Sequence, residues 1–511
     1  MDDRTVYSAA RYRLNGPQPR TPLPHLQHGQ GLAVDLESKA DALHDAFTRP
    51  SAEADLADIS TAEYGPSLLF ADLFMAELSA ALQRMSARTA PGPAGITNTV
   101  LKLIWADILP LFTRIVNVGM RCGHYPKVFK TSHTVVIKKA RRNDYSLPKS
   151  WRPIDLLPRL GLVWDRAVSR RLTFLAERHR LLPASHHGGS PSRSTSDALL
   201  SVPECTYQAW RGDRVGLLLS LDVQAYFPPM RFEHVCDTLR RAGLPAHFAA
   251  FICSWGAQRF VHYIVGDAMT RSRLRPDGCP QGSAFSVILA LFFNASLLQS
   301  IADAHSDLHP TGFFDDIGIL ALGKSVEGAR NTLALAEAPV ATWSRKHGAH
   351  FDMGKTHCIM LHRLEEEAPP PVHFLGSELQ VDEQLELLGV LVDGQLRFKS
   401  HGARALQRAQ SAWLALGTLS NSVRGLSLRH MLRLYKTIVL PKFQYASVVW
   451  FRAGSNPGHV EAMHVTGVVG GEKMGRRREV GLVAKVEEWK SRSGKGARAR
   501  RRRAEVKREE D

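Results

Sequence analysis

The chain has 511 residues, of which 44% are hydrophobic, and a formal net charge of +17 from 66 Lys/Arg against 49 Asp/Glu. That length suits two to four domains of roughly 100–200 residues, and the apolar content excludes wholesale disorder. A basic excess of this size implies a polyanionic partner, nucleic acid or an acidic membrane surface, and says nothing of the fold.

The six cysteines (Cys122, Cys205, Cys236, Cys253, Cys279 and Cys358) lie far apart without a CxxC pair. This argues against a zinc knuckle and a disulfide scaffold and for reduced thiols in an intracellular protein. The start, MDDRTVYSAARYRL, has no apolar signal-like run, so secretion is not expected. No uncharged apolar run is read as reaching the roughly 18 residues of a membrane span. The expected polyanion is therefore DNA or RNA, with no membrane.

In chain order, residues 1–65 are polar and Pro/Gly-rich (NGPQPRTPLPHLQHGQG), with a short helix predicted over ESKADALHDAF; they read as a linker or N-terminal extension. From Glu63 to about Trp450 helical and strand patterns alternate densely, with no internal repeat. LEEEAPPP, Leu364 to Pro371, reads as an acidic, proline-rich loop. After Arg452 the character changes: residues 471–511 hold 15 Lys/Arg against 8 Asp/Glu and read as a basic, disordered tail. Its Arg498–Arg503 cluster resembles a nuclear localisation signal, which sets the nucleus as the expected place of action.

Three carboxylates stand out. VGLLLSLDV, Val215 to Val223, is apolar at nearly every position and reads as a fully buried strand. An aspartate at its end, Asp222, needs its charge compensated, by a metal or by capping the next helix. HPTGFFDDIGILAL, His309 to Leu322, reads as a β-hairpin with Asp315-Asp316 as its two-residue turn. Turns favour Asp, but adjacent carboxylates repel, and a divalent cation relieves that repulsion. A strand-end Asp with a hairpin Asp pair suits two-metal phosphoryl transfer, with Mg²⁺ as the oxygen-loving ion.

At these residues the sequence resembles non-LTR (LINE-type) retrotransposon reverse transcriptases, especially those of fungal elements, over roughly residues 35–451. APGPAGITNTVLK (Ala90–Lys102) is similar to a block with a PGPDGI core, and HTVVIKKARRNDYSLPKSWRPIDLLPRLG (His133–Gly161) to a block ending in YRPI. HHGGSPSRSTSDALL (His186–Leu200) resembles a template-side Gly/Arg block. LDVQAYFPPM, GCPQGSAFSVIL (Gly278–Leu289), GFFDDIGIL, WSRKHGAHFDMGKTHCIML and LELLGVLVDGQLRFKSH (Leu385–His401) resemble motifs A to E. LRLYKTIVLPKFQYASVVWF resembles the thumb.

The resemblance implies an α+β right hand: fingers at 66–200, an antiparallel palm sheet with helices on one face at 201–400, a helical thumb at 401–451 and a tail at 452–511. It implies an RNA-directed DNA polymerase using an RNA template, a DNA primer, dNTPs and two Mg²⁺ ions, with Mn²⁺ as a substitute. Asp222, Asp315 and Asp316 would hold the metals. Lys139 and Arg152 would contact the triphosphate. Phe227 would exclude a 2′-hydroxyl, against the plainer reading of a core aromatic. Gln281 and Gly282 would lie along the nascent base pair. Lys355 would donate a proton to pyrophosphate or, equally, be a turn lysine.

Departures from the pattern are Ala94, Ala140, Ser190, Ser192, Pro228, Pro229, Ala284, Val287 and Phe314. Phe314 stands where a small residue usually precedes the Asp pair, and is expected to crowd the primer end. Together with the absence of a recognisable upstream endonuclease, these departures suggest a truncated copy. The rival readings are a catalytically decayed nucleic-acid-binding remnant and a maturase-like ribonucleoprotein subunit.

Overall fold

The computed structural model describes residues 23–48, 54–140, 142–223, 230–363, 370–417, 419 and 425–451. Phe227, the proline pair 228–229, most of the acidic loop and the basic tail lie outside them.

β1 (Leu26–His28) and β2 (Gly31–Ala33) form a short hairpin, followed by the helix Leu36–Phe47. Asp35 caps this helix by accepting from the N–H groups of Glu37 and Ser38, which satisfies donors that a helix start leaves unpaired. Leu26, Ala40 and Leu43 pack on Trp151, Val261 and Tyr263. Glu37 and Asp41 both ion-pair with Arg273 at 2.7 Å. The helix is as predicted, but this part of the expected linker is docked onto the body. Three-residue strands in a polar stretch carry too little periodicity to be read.

The following strands are β3 (Thr131–Lys138), β4 (Trp151–Leu156), β5 (Val215–Asp222), β6 (Arg259–Val265), β7 (Ala268–Met269) and β8 (Arg273–Arg275). β3 pairs antiparallel with β4 and parallel with β6, and β6 also pairs with β7 and β8. Strands from 131–156 and from 259–275 thus share one sheet although about a hundred residues separate them.

The remaining strands include β9 (Leu308–Phe313), β10 (Asp316–Gly323), β11 (His357–Leu361), the hairpin β12 (Val372–Phe374) with β13 (Ser377–Leu379), and β14 (Val381–Asp382). The central sheet has the order β14-β11-β5-β10-β9 and is antiparallel except between β11 and β14. Leu217, Leu219 and Leu221 of β5 enter a large core with Phe285, Phe292 and Trp343. Leu218, on the other face, joins Leu320, Leu361 and residues of the helices Thr195–Arg211 and Lys399–Gly417. Both faces are therefore covered, which corrects the expectation of helices on one face. The unbroken apolar run of β5 is the sequence trace of that double burial.

Two further expectations are corrected. The helix Ala284–Ala304 has the length and hydropathy of a membrane span, with 72% of its most apolar window buried inside the protein. Ser, Asn and Gln interrupt its apolar run without adding charge, so a count of apolar residues passes over it. The helices Phe232–Arg241 and Ala246–Gly256 bring Cys236 and Cys253 into disulfide contact. A helix hairpin, not a short motif, joins these two, and CxxC spacing does not reveal it. Cys122, Cys205, Cys279 and Cys358 are free.

Arg273 is buried while its two carboxylates are partly exposed, so Arg273→Ala is expected to cost about 1–2 kcal/mol, between the exposed and buried limits for ion pairs. The check is amide hydrogen exchange: Leu36–Phe47 should lose protection while β5 and β10 keep theirs.

Candidate active site

Asp222 ends β5 and Asp316 opens β10, and the two are register partners in the antiparallel ladder. Directly opposite residues stand about 4.5–5.5 Å apart at Cα, so pairing alone brings these carboxylates together. Asp315 sits in the turn immediately before. Phe313 pairs with Asp316, which makes the two-residue turn Phe314-Asp315, not Asp315-Asp316 as the sequence suggests. Only Phe314 of these takes positive φ, at 55°. That fits a type II′ hairpin, where glycine is the usual residue, and a bulky side chain there is under strain.

The charges at this tip are poorly tolerated. Loss of solvation, then the neighbouring Asp315 and Asp222, push the Asp316 carboxyl up to about 6. Asp315 is raised by desolvation and by Asp222, against the opposing charges of Arg152 and Lys355. Both side chains nevertheless reach solvent. An all-oxygen donor set with excess negative charge fits a hard divalent cation.

Among the described residues, no group of three or more His, Cys, Asp or Glu side chains is already gathered around one point as metal ligands. Instead the Lys355 ammonium bonds Asp222 Oδ2 at 2.5 Å and Asp352 Oδ2 at 2.9 Å. Lys355 lies in the short turn Met353–Lys355, tied to β5 through the Asp352 N–H and the Asp222 carbonyl at 2.9 Å. Partial burial opposes its charge, but the bonds to Asp222 and Asp352 outweigh that and raise its pKa.

The basic candidates face the same cleft. Lys139 follows β3 and is pulled down by burial and by the charges of Arg142, Arg152 and Lys355, with Asp222 acting the other way. Arg152, on β4 opposite Ile137, is close enough to act on Asp315. Gln281 and Gly282 reach the site through Asp155, which sequence reading did not single out. The Asp155 N–H donates to the Gln281 carbonyl at 2.7 Å, and its Oδ2 accepts from the Gln281 N–H at 2.9 Å. Asp155 is also paired with buried Arg275 at 2.9 Å. Gly282 has φ +153°, and a Cβ there would lie 2.4 Å from the Asp155 carbonyl oxygen, so no other residue fits without moving β4. An aspartate inside the alternating strand Trp151–Leu156 was the available signal. Phe227 lies outside the described residues.

With this geometry in place, the relatives are informative. Residues 137–379 match the family model described as reverse transcriptase (RNA-dependent DNA polymerase). The chain is 24% identical over 394 residues to the probable RNA-directed DNA polymerase from transposon BS of Drosophila melanogaster, covering 76% of this chain and 43% of that protein. It is 24% identical over 375 residues to the corresponding X-element protein of Drosophila melanogaster (73% and 41% covered). It is 23% identical over 423 residues to the RNA-directed DNA polymerase from mobile element jockey of Drosophila funebris (82% and 46%). Among solved structures, apo telomerase from Candida tropicalis, truncated from its C-terminal domain, aligns at 12% identity and TM-score 0.35 over 56% of this chain and 59% of that one.

Residues 137–379 are similar to a reverse transcriptase domain. Over most of its length the chain is similar to reverse transcriptases of non-LTR retrotransposons, and it spans less than half the length of these curated relatives.

The raised Asp316 carboxyl gives a pH-linked prediction. A carboxyl whose folded pKa lies above its unfolded value favours folding below the unfolded pKa and loses that contribution as pH rises through about 6. Asp316→Asn should therefore stabilise the metal-free protein at pH 8 by about 1 kcal/mol after discounting for solvent at the tip, or about 1 °C in Tm. The gain should vanish near pH 4. Added Mg²⁺ should raise the Tm of the wild type and not of the variant. Equal Tm values at pH 8 would remove the electrostatic strain assigned to this tip.

Proposed function

We propose that this chain is the polymerase part of a non-LTR element's enzyme, extending a DNA primer on an RNA template with dNTPs. The observation that carries this is the pairing of Asp222 with Asp316 at one end of the central sheet, with Asp315, Lys139, Arg152 and Lys355 around them. Asp222, Asp315 and Asp316 would hold two Mg²⁺ or Mn²⁺ ions, which supply Lewis-acid stabilisation of the attacking and leaving oxygens when bound. Lys139 and Arg152 then bind the triphosphate, whose charge suits ammonium and guanidinium donors.

Lys355 bonds Asp222 and Asp352 together. In this reading it exchanges Asp222 for the departing pyrophosphate and gives it a proton. The Gln281-Gly282 backbone lies along the nascent base pair, where the missing Cβ permits close approach. Phe227 blocks the 2′-hydroxyl. The subdomains follow as fingers at 66–200, palm at 201–400 and thumb at 401–451. The β6–β8 region of the second segment lends its strands to the β3–β4 sheet. The basic tail adds phosphate contacts, and the working compartment is the nucleus.

The test is primer extension on poly(rA)/oligo(dT) with the full chain. Asp315→Asn with Asp316→Asn should abolish synthesis, by at least about 10³-fold. Primer–template affinity should stay within about tenfold, because Lys/Arg–phosphate contacts supply it. A wild type that binds the duplex yet makes no DNA with Mg²⁺ or Mn²⁺ would instead define a non-catalytic remnant.

Sugar choice is a separate measurement. Phe227→Ala should admit ribonucleotides while dNTP use stays within about threefold, as removal of a steric block predicts. An unchanged rNTP/dNTP ratio would make Phe227 a packing residue.

A further inference from the structure

The strained turn before Asp316 is gripped from the protein side by a segment more than a hundred residues upstream. The Gly312 N–H donates to the Ser185 carbonyl at 2.9 Å, and the His187 N–H donates to the Gly312 carbonyl at 2.9 Å. One helix away, Asn294 Nδ2 donates to the Phe314 carbonyl at 2.8 Å. Asn294 Oδ1 lies 2.8 Å from His186 Nε2. Because the amide nitrogen of Asn294 is spent on Phe314, its oxygen must accept, so Nε2 of His186 carries the proton. Both side chains are 0% exposed. Burial drives the imidazole down to about 4, so it stays neutral and keeps the single proton this bond needs.

The other side of the turn is fitted just as closely. A Cβ on Gly188 would stand 2.7 Å from the Phe314 backbone nitrogen. Gly189 has φ +71°, and a Cβ there would meet the Phe314 ring at 3.1 Å and the side chains of Leu291 and Val287 at 3.2 Å. The aromatic ring at 314 is therefore seated against a pair of glycines. A bulky left-handed residue persists only where its surroundings over-determine it, and here three backbone or amide bonds and one glycine bed do so.

We infer that His186, through Asn294, clamps the Phe314 carbonyl and so sets the position of Asp315 and Asp316 against Asp222. His186 and Asn294 are positioning residues: they touch neither substrate nor metal, and they act through the turn. The Gly188-Gly189 bed is the other jaw of the same clamp. The consequence for catalysis rests on the polymerase reading, whereas the consequence for cation binding does not.

The experiment compares His186→Leu, His186→Gln and Gly188→Ala in the full chain. Mn²⁺ binding is measured by the electron paramagnetic resonance of free Mn²⁺, alongside steady-state primer extension and poly(rA)/oligo(dT) binding. His186→Leu removes the donor and should weaken Mn²⁺ binding about tenfold and lower kcat about 10²-fold, the scale of a misplacement near 1 Å. KM for dNTP and primer–template affinity should stay within about twofold, since their contacts are elsewhere. His186→Gln keeps an N–H donor and should recover both readouts to within about threefold. Gly188→Ala pushes on the turn from the opposite side and should shift both in the direction of His186→Leu.

If His186→Leu does not fold, the contrast of Gly188→Ala with His186→Gln carries the same test. Unchanged Mn²⁺ affinity in His186→Leu and Gly188→Ala would overturn the clamp, as would a His186→Gln as impaired as His186→Leu. A wild type that binds Mn²⁺ but makes no DNA would sink the polymerase reading alone, and the Mn²⁺ comparison would still decide the clamp.

Discussion

Three carboxylates at one end of one sheet repel each other, and the rest of the site is arranged around that repulsion. At about 5 Å and an effective dielectric near 20, each ionised pair costs about 3 kcal/mol before screening by solvent. Arg152 and Lys355 offset part of this at Asp315 and Asp222. What holds Asp222 opposite Asp316 is the β5–β10 ladder, eight register pairs long, with leucines buried on both faces. Apolar burial on the order of 1.5–3 kcal/mol per large side chain outweighs the repulsion several times over. The fold holds the charges together, and the Asp316 carboxyl rises to about 6, first through loss of solvation and then through Asp315 and Asp222.

Two of the positive groups answer the same constraint from a different sheet. Lys139 and Arg152 belong to the β3–β4 pair, whereas Lys355 follows the helix leading into β11. Their position depends on how the two sheets meet; the buried Asp155–Arg275 pair lies within the first of them, tying β4 to β8. Asp155 bonds the Gln281 backbone with both its main chain and its side chain, so Arg152, three residues before it on the same strand, is fixed relative to Gln281 and Gly282. A buried ion pair is weak evidence of stability, because desolvation offsets its attraction. It is better evidence of how β4 and β8 are placed within their own sheet.

Much of this was legible in the sequence, and the illegible parts share a cause. The apolar run of β5 announced a buried strand, and Asp222 and the Asp315-Asp316 pair stood out because carboxylates in such surroundings need a partner. The likeness to reverse transcriptases was readable from the order of the motifs. Composition placed the turn one residue too far along, since Asp is a turn residue and Phe is not. Register decided otherwise: Asp316 is held in the ladder by Asp222, which leaves Phe314 to take the left-handed position. The docked N-terminal hairpin, the Cys236–Cys253 contact and the roles of Asp155, His186 and Asn294 were not legible for one reason. Each depends on a contact between segments that lie apart in the chain, and a single sequence records such contacts only as isolated polar residues.

The departures from the family pattern look different once those contacts are known. Read singly, Phe314 is a bulky residue where a small one is usual, and Ser192 is a non-glycine where glycine is usual. Ser192 nevertheless takes φ 58°, the conformation a glycine would supply. Phe314 meets Gly188 and Gly189, with Val287 beside them. Val287 is itself one of the departures. A chain decaying without constraint accumulates substitutions independently, and a large side chain introduced at random into a tight turn meets neighbours that do not fit. Here the large residue and the space for it occur together, and the strained carbonyl it leaves behind is bonded to a buried amide. Phe314 is thus seated between Gly188, Gly189 and the Asn294 amide rather than left without fitted neighbours.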